Sequence, residues 1–193
     1  MSDAIEQICQ QARAGSREAA TKLIECFYER IFAYLCSISG DPDEAADLTQ
    51  KTFARAWIAL PSYQARSRFS TWLHGIARHV YLDWRRASKP GTRQTDAWWD
   101  SCAASTPTPF EDAAQRDSAH RLYRFVEQLD EQARETLHLH YYQELSIADT
   151  AEVLGVATST VKYRLRGALE LLRTRMAETR APLSDAKPRG TML

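Results

Sequence analysis

"LSIADTAEVLGVATSTVKYRL", residues 145–165, carries the reading that decides the fold. Ser146 and Asp149 form a cap pair ahead of Ile147, Ala151 and Leu154, which recur on one helical face. Gly155 falls where that helix must stop and the chain must reverse, a left-handed position that suits glycine. Thr158 or Ser159 is placed to cap a following helix. The stretch predicts a short helix, a tight glycine turn and a second helix, a helix-turn-helix in which the small Ala151 allows close approach.

The second helix of that unit extends through "VATSTVKYRLRGALELLRTR", residues 156–175. Val161, Leu165, Ala168 and Leu172 make one apolar stripe along it. Lys162, Arg164, Arg166, Arg173 and Arg175 lie off the stripe against a single acid, Glu170. The whole chain of 193 residues has 25 basic and 25 acidic side chains, so this helix concentrates a charge that the chain otherwise cancels. A helix-turn-helix sets its second helix in the major groove of DNA. Ser159, Thr160, Lys162, Tyr163, Arg164 and Arg166 are therefore candidate contacts to base edges and phosphates of a duplex.

Working outward, Leu122, Phe125, Val126 and Leu129 mark another helix, and "DEQARETLHLHYY" the next. These complete a C-terminal lobe over residues 116–180, followed by a tail, 181–193. The N-terminal lobe, residues 1–89, is helical too. Asp41, Pro42 and Glu44 give a capping box with proline at the first helical position. Ala45, Leu48, Phe53, Ala56, Trp57 and Leu60 supply that helix's inner face, and Pro61 ends it. A helix beginning near Ser70 carries Phe69, Leu73, Ile76 and Val80. Upstream, Leu23, Phe27, Ile31 and Leu35 mark one more. Between the lobes, residues 90–115 include "PGTRQTDAWWDSCAASTPTPFEDAA", with three of the seven prolines and no periodicity, and read as a linker. Its Trp98 and Trp99 are expected to dock onto a lobe or a partner. The expected fold is all-α: two small helical domains joined by a flexible linker, the second containing the helix-turn-helix.

The N-terminal lobe has its own basic cluster. Arg66, Arg68, Arg78, Arg85, Arg86 and Lys89 stand against Asp83 alone over residues 66–89. Tyr63, Phe69, Trp72, Tyr81 and Trp84 are interleaved with them, a combination suited to single-stranded nucleic acid because unpaired bases stack on aromatic rings. Phe69 and most of Trp72 are expected in the core, and Tyr63 outside it. The composition, 44% hydrophobic and 26% charged, is that of an ordinary globular chain. No apolar run approaches the roughly 18–20 residues of a membrane span. The first residues lack a signal-peptide core. A cytoplasmic protein with no membrane insertion is expected. Cys9, Cys26, Cys36 and Cys102 form no C-x-x-C pair and read as free thiols.

"DPDEAADLTQKTFARAW", "FSTWLHGIARHVYLDWRR" and "LSIADTAEVLGVATSTVKYRLRGALELLR" resemble bacterial RNA polymerase sigma factors of the extracytoplasmic-function group. The likeness covers about residues 23–89 and 119–176. It implies a domain 2 that binds core polymerase and the −10 promoter element, and a domain 4 that binds the −35 element. It implies polymerase-docking roles for Asp47, Gln50, Lys51 and Arg55. It gives Tyr63, Gln64, Arg66, Ser67 and Arg68 the capture of an unpaired −10 base, and His74, Arg78, His79, Arg85 and Arg86 the lining of the melted strand. Gly75 stands where a basic or polar residue is expected, and Tyr163 is bulkier than the small residue often found there. Core RNA polymerase and promoter DNA are the implied partners, with an anti-sigma factor, common in the family, as a further candidate. No cofactor and no catalysis are expected. A competing reading is a free-standing helix-turn-helix regulator whose first lobe senses a signal or dimerises. A third is a metal-responsive enzyme or sensor using His138, His140 and the cysteines, although two residues of helix turn those histidines to different sides.

Overall fold

The structure is a computed structural model that describes residues 2–87, 122, 124–126 and 128–180. The first lobe contains α1 (Ser2–Arg13), α2 (Arg17–Ser39), α3 (Pro42–Ala59) and α4 (Phe69–Ala87). Ser16 caps α2 by accepting the Ala19 amide at 3.2 Å. Gly40, at φ 73°, closes α2 by returning its N–H to the Cys36 carbonyl. Asp41 caps α3, accepting the Asp43 and Glu44 amides at 2.9 and 3.3 Å, with Pro42 at the first position as expected. Pro61 sits in a single 3₁₀ turn, Leu60–Ser62, where α3 stops.

The second lobe has α5 (Glu131–Leu137), capped by Asp130 through the Ala133 amide, then a wider π turn, His138–Tyr142. α6 (Ile147–Leu154) and α7 (Thr158–Arg180) follow. All regular structure among the described residues is helical. Trp98, Trp99 and Cys102, the linker and the tail lie outside the described residues; among the described residues Cys9, Cys26 and Cys36 form no disulfide, and the first and last are buried.

The lobes do not stand apart, as separately tethered units would. One apolar core runs through both, joining Phe27, Ile31, Tyr34, Leu48 and Leu73 of the first to Leu139, Leu145, Ala151, Leu154 and Val161 of the second. A smaller cluster, Leu129, Ala133, Ala168 and Leu172, ties α5 to α7. The α7 stripe read from the sequence is buried as predicted. Trp57 departs from its expected place: it is 46% exposed, and beside it Ile58 is 80% exposed. With Ile24 it borders an apolar groove of about 270 Å³ floored by Leu23, Phe53 and Phe69.

Candidate nucleic-acid interface

The helix-turn-helix closes as its residues dictate. Ser146 Oγ accepts the Asp149 amide at 3.0 Å and donates to Asp149 Oδ2 at 2.5 Å. Gly155 adopts φ 64°, ψ 36° and ends α6 by bonding the Ala151 and Glu152 carbonyls. The following helix begins at Thr158, so Thr158 and Ser159 lie within its first turn rather than ahead of it. The Ala157 carbonyl accepts the Thr160 and Val161 amides. This corrects the expected cap. Ser159, Lys162, Tyr163 and Arg166 are exposed, Tyr163 at 78%, and Thr160 is half-buried. Arg164 is half-buried and donates to Gln132 Oε1 at 2.7 Å. Ser159, Lys162, Tyr163 and Arg166 share the outer face of one helix start, the arrangement that enters a major groove, with Thr160 and Arg164 on its flank.

In the first lobe, Gln64, Arg66 and Arg68 are exposed on the loop between the 3₁₀ turn and α4, and Ser67 is half-buried. The loop holds Ala65 at φ 53°. Arg66, Ser67 and Arg68 share a groove of about 740 Å³ with Arg30 and Cys26 of α2 and Asp149 of α6. Tyr63 is a correction. It is 3% exposed, its ring against Phe69 and Trp72 with centroids 5.8 and 5.0 Å away, and its hydroxyl donates to the Ser67 carbonyl at 2.7 Å. Burial pushes that phenol up to about 12. Tyr63 therefore shapes the loop from below and presents no ring to a base.

His74 is the second correction. It is wholly buried, Nδ1 donating to the Ser70 carbonyl at 2.7 Å and the ring set edge-on against Tyr34. Burial holds its pKa down at about 4, so it is neutral and offers a phosphate nothing. His79, Arg85 and Arg86 are exposed along α4, and Arg78 is half-buried. Arg78 Nε pairs with Glu135 Oε1 at 3.1 Å, and Arg85 pairs with Glu131, whose Oε1 also accepts the Tyr81 hydroxyl. Arg86 bonds Asp83 at 3.1 Å. Gly75, also on α4, has open space beyond the position a Cβ would take.

Asp47, Gln50, Lys51 and Arg55 lie exposed on the outer side of α3. Lys51 pairs with Asp47 at 2.5 Å and Arg55 with Asp83 at 2.7 Å, surface pairs that exchange readily for a partner's groups.

No sequence pattern marks Gln143. It is 1% exposed, and its side-chain amide donates to the Arg30 carbonyl at 2.9 Å and to His138 Nε2 at 3.0 Å. Its Oε1 accepts from Arg30 Nε at 3.2 Å, and its backbone carbonyl accepts from Arg30 Nη2. His138 is buried beside Tyr34 and Tyr142, whereas His140 bonds the Leu145 carbonyl at 2.8 Å. The two histidines thus serve different contacts. Among the described residues no three His, Cys, Asp or Glu side chains converge as a metal site requires.

Residues 23–90 match the family described as Sigma-70 region 2, and residues 119–172 match Sigma-70, region 4. Among curated proteins the chain is similar to the ECF RNA polymerase sigma factor SigW of Bacillus subtilis, 25% identical over 90% of this chain and 97% of that protein. It is 29% identical to the ECF RNA polymerase sigma factor SigC of Mycobacterium tuberculosis, over 96% and 93% of the two chains. Two solved structures share the fold. CnrH in complex with the cytosolic domain of CnrY has a TM-score of 0.64 at 21% identity, covering 90% of this chain and 97% of that one. RpoE in complex with the anti-sigma factor NepR from Bartonella quintana has 0.62 at 22%, covering 83% and 98%.

Proposed function

The chain belongs to the extracytoplasmic-function group of RNA polymerase sigma factors, and from that premise we propose how its two lobes divide the work of starting transcription. It binds core RNA polymerase, recognises the −35 and −10 elements of a promoter and promotes melting of the DNA. The start of α7, with Ser159, Thr160, Lys162, Tyr163, Arg164 and Arg166, reads the −35 duplex. The loop residues Gln64, Arg66, Ser67 and Arg68 capture unpaired −10 DNA, and Arg78, His79, Arg85 and Arg86 line the melted strand. Tyr63 and His74 are left out of this set. Asp47, Gln50, Lys51 and Arg55 form the polymerase-docking face. The chain acts without catalysis of its own, in the cytoplasm, and an anti-sigma factor is its proposed regulator, as NepR is the partner of a protein with the same fold.

The observation that carries this reading is the pairing of two complementary nucleic-acid faces on two separately matched regions. A free-standing regulator would need only the second. The first lobe's own match to region 2 leaves that alternative without support.

Promoter-directed run-off transcription with purified core polymerase tests the proposal. Asp47→Arg with Gln50→Ala is expected to lower transcription at least tenfold by weakening core binding. Both sites are exposed, so the folding cost stays within about 0.5 kcal/mol. Unchanged competition for core polymerase by this variant would remove the case for the α3 face.

A further inference from the structure

Five charged side chains line the groove beside the loop of residues 64–68, and two of them are already engaged within the protein. Asp149 accepts the Thr71 hydroxyl on Oδ1 at 2.9 Å and the Ser146 hydroxyl on Oδ2 at 2.5 Å. Arg30 donates to the side-chain and backbone carbonyls of Gln143. The other three are Glu6 of α1 and Arg66 and Arg68 of the loop. None of these has a hydrogen bond or an ion pair among the described residues. The groove therefore keeps donors on the loop and one half-buried acceptor on α1 for whatever enters it.

Glu6 reaches this place because α1 packs against the 3₁₀ turn that precedes the loop. Cys9 and Ala12, further along α1, anchor it in the core. The Glu6 charge adds to burial in raising the Cys9 thiol and the Tyr63 phenol to about 12. The carboxylate thus sits near Tyr63, whose hydroxyl holds the loop by the Ser67 carbonyl. Phe27 and Phe69 meet edge to face at 5.3 Å and form the groove's apolar floor. Its volume, about 740 Å³, falls within the roughly 300–1,000 Å³ of small-ligand sites. α1 lies ahead of the residues that match region 2, so that match gives Glu6 no role.

Guanidinium donors facing a carboxylate acceptor match the polar edge of an unpaired base. Cytosine presents an amine donor beside a ring nitrogen and a carbonyl that both accept. A carboxylate takes the amine and a guanidinium serves the acceptors. Thymine has a carbonyl where cytosine has its amine, and that oxygen is repelled by a carboxylate. We infer that Glu6 is a specificity-determining residue of −10 capture: it accepts the exocyclic amine of an unpaired base held by Arg66 and Arg68, and it turns away thymine. This rests on the reading of the 64–68 loop as the part that captures unpaired −10 DNA.

The test is binding of fluorescent 12-nucleotide single strands to the complex of the full-length chain with core polymerase, read by anisotropy against core polymerase alone. The strands are oligo-dC, oligo-dT and an oligomer of pyrimidin-2-one deoxynucleotides, which is cytosine without its amine. The wild-type complex is expected to bind oligo-dC about fivefold or more tighter than either of the others. Glu6→Gln can turn a carbonyl or an amide nitrogen to the base, and is expected to bring all three strands within about twofold of one another. A merely electrostatic role would tighten all three together and leave their ratios as they were. Equal binding of oligo-dC and the pyrimidin-2-one strand by the wild-type complex, which needs no variant, overturns the inference. Unchanged ratios in Glu6→Gln overturn it equally. Arg66→Ala with Arg68→Ala separates it from the reading beneath it, and is expected to weaken all three strands. If it does so while the Glu6→Gln ratios stay put, the role of Glu6 is wrong and the loop reading stands. If it changes nothing, both fall.

Discussion

Gln143 and the two histidines near it show how much one residue holds. The Gln143 side chain satisfies its amide protons and its carbonyl within the protein, on the Arg30 carbonyl, the Arg30 guanidinium and buried His138 Nε2. Gln143→Leu keeps the volume but removes the side-chain bonds to Arg30 Nε, the Arg30 carbonyl and His138 Nε2, leaving only the backbone bond to Arg30 Nη2. The expected cost is about 2–4 kcal/mol, read as a lower urea midpoint at unchanged slope. His74 and His138 are held down at about 4 and about 3 by burial, His138 also by the charge His74 would carry. They face Tyr34, Tyr142, Gln143, Arg30 and each other. The unfolded chain takes up these protons below its ordinary histidine pKa, near 6.5, and the folded chain does not. Stability is therefore full above that value and falls as pH drops from there toward 4. At pH 5 the loss is up to about 2 kcal/mol per histidine. Thermal melts at pH 7 and pH 5 check this, and His74→Gln is expected to flatten the dependence. A melting temperature that rises on acidification contradicts it.

Elements were legible where their signals are local. Asp41 and Ser146 cap the helices they were read to cap, because an N-cap needs only a side chain and the amides two or three residues on. Gly155 takes the left-handed turn its position demanded. A Cβ there meets nothing within 4 Å, so Gly155→Ala costs only conformational strain. About 1 kcal/mol is expected, seen in the denaturation midpoint. A neutral substitution would mean that the turn adapts. The π turn at His138–Tyr142 was not legible, because no residue type marks it. Tyr63 has polar neighbours in sequence, which do not announce its packing against the Phe69 and Trp72 rings. His74, given a strand-lining role by the family resemblance, lies on a second buried stripe of α4, with Ala77 and Tyr81, beside Leu73 and Val80. Part of that burial comes from the other lobe, through Gln143 and Glu131.

At the scale of the molecule, helix content, the division into two lobes and the family were all readable, since each rests on periodicity, caps and motifs within short windows. The packing of lobe on lobe was not. It is made by pairs far apart in the chain, Arg30 with Gln143, Tyr34 with Glu135 and Thr71 with Asp149, and no local pattern announces such partners. The division of labour between the lobes is the claim on which the rest depends. The measurement that tests it most directly is run-off transcription with core polymerase on two templates, a duplex promoter and the same promoter with a pre-melted −10 bubble. The variants are Arg66→Ala with Arg68→Ala, and Arg164→Ala. The loop variant is expected to lose activity on the duplex and to recover much of it on the bubble, where the cost of melting is already met. Arg164→Ala is expected to be impaired on both, because its loss of roughly 1–3 kcal/mol lies in duplex recognition. Equal rescue of both variants by the bubble would contradict the account.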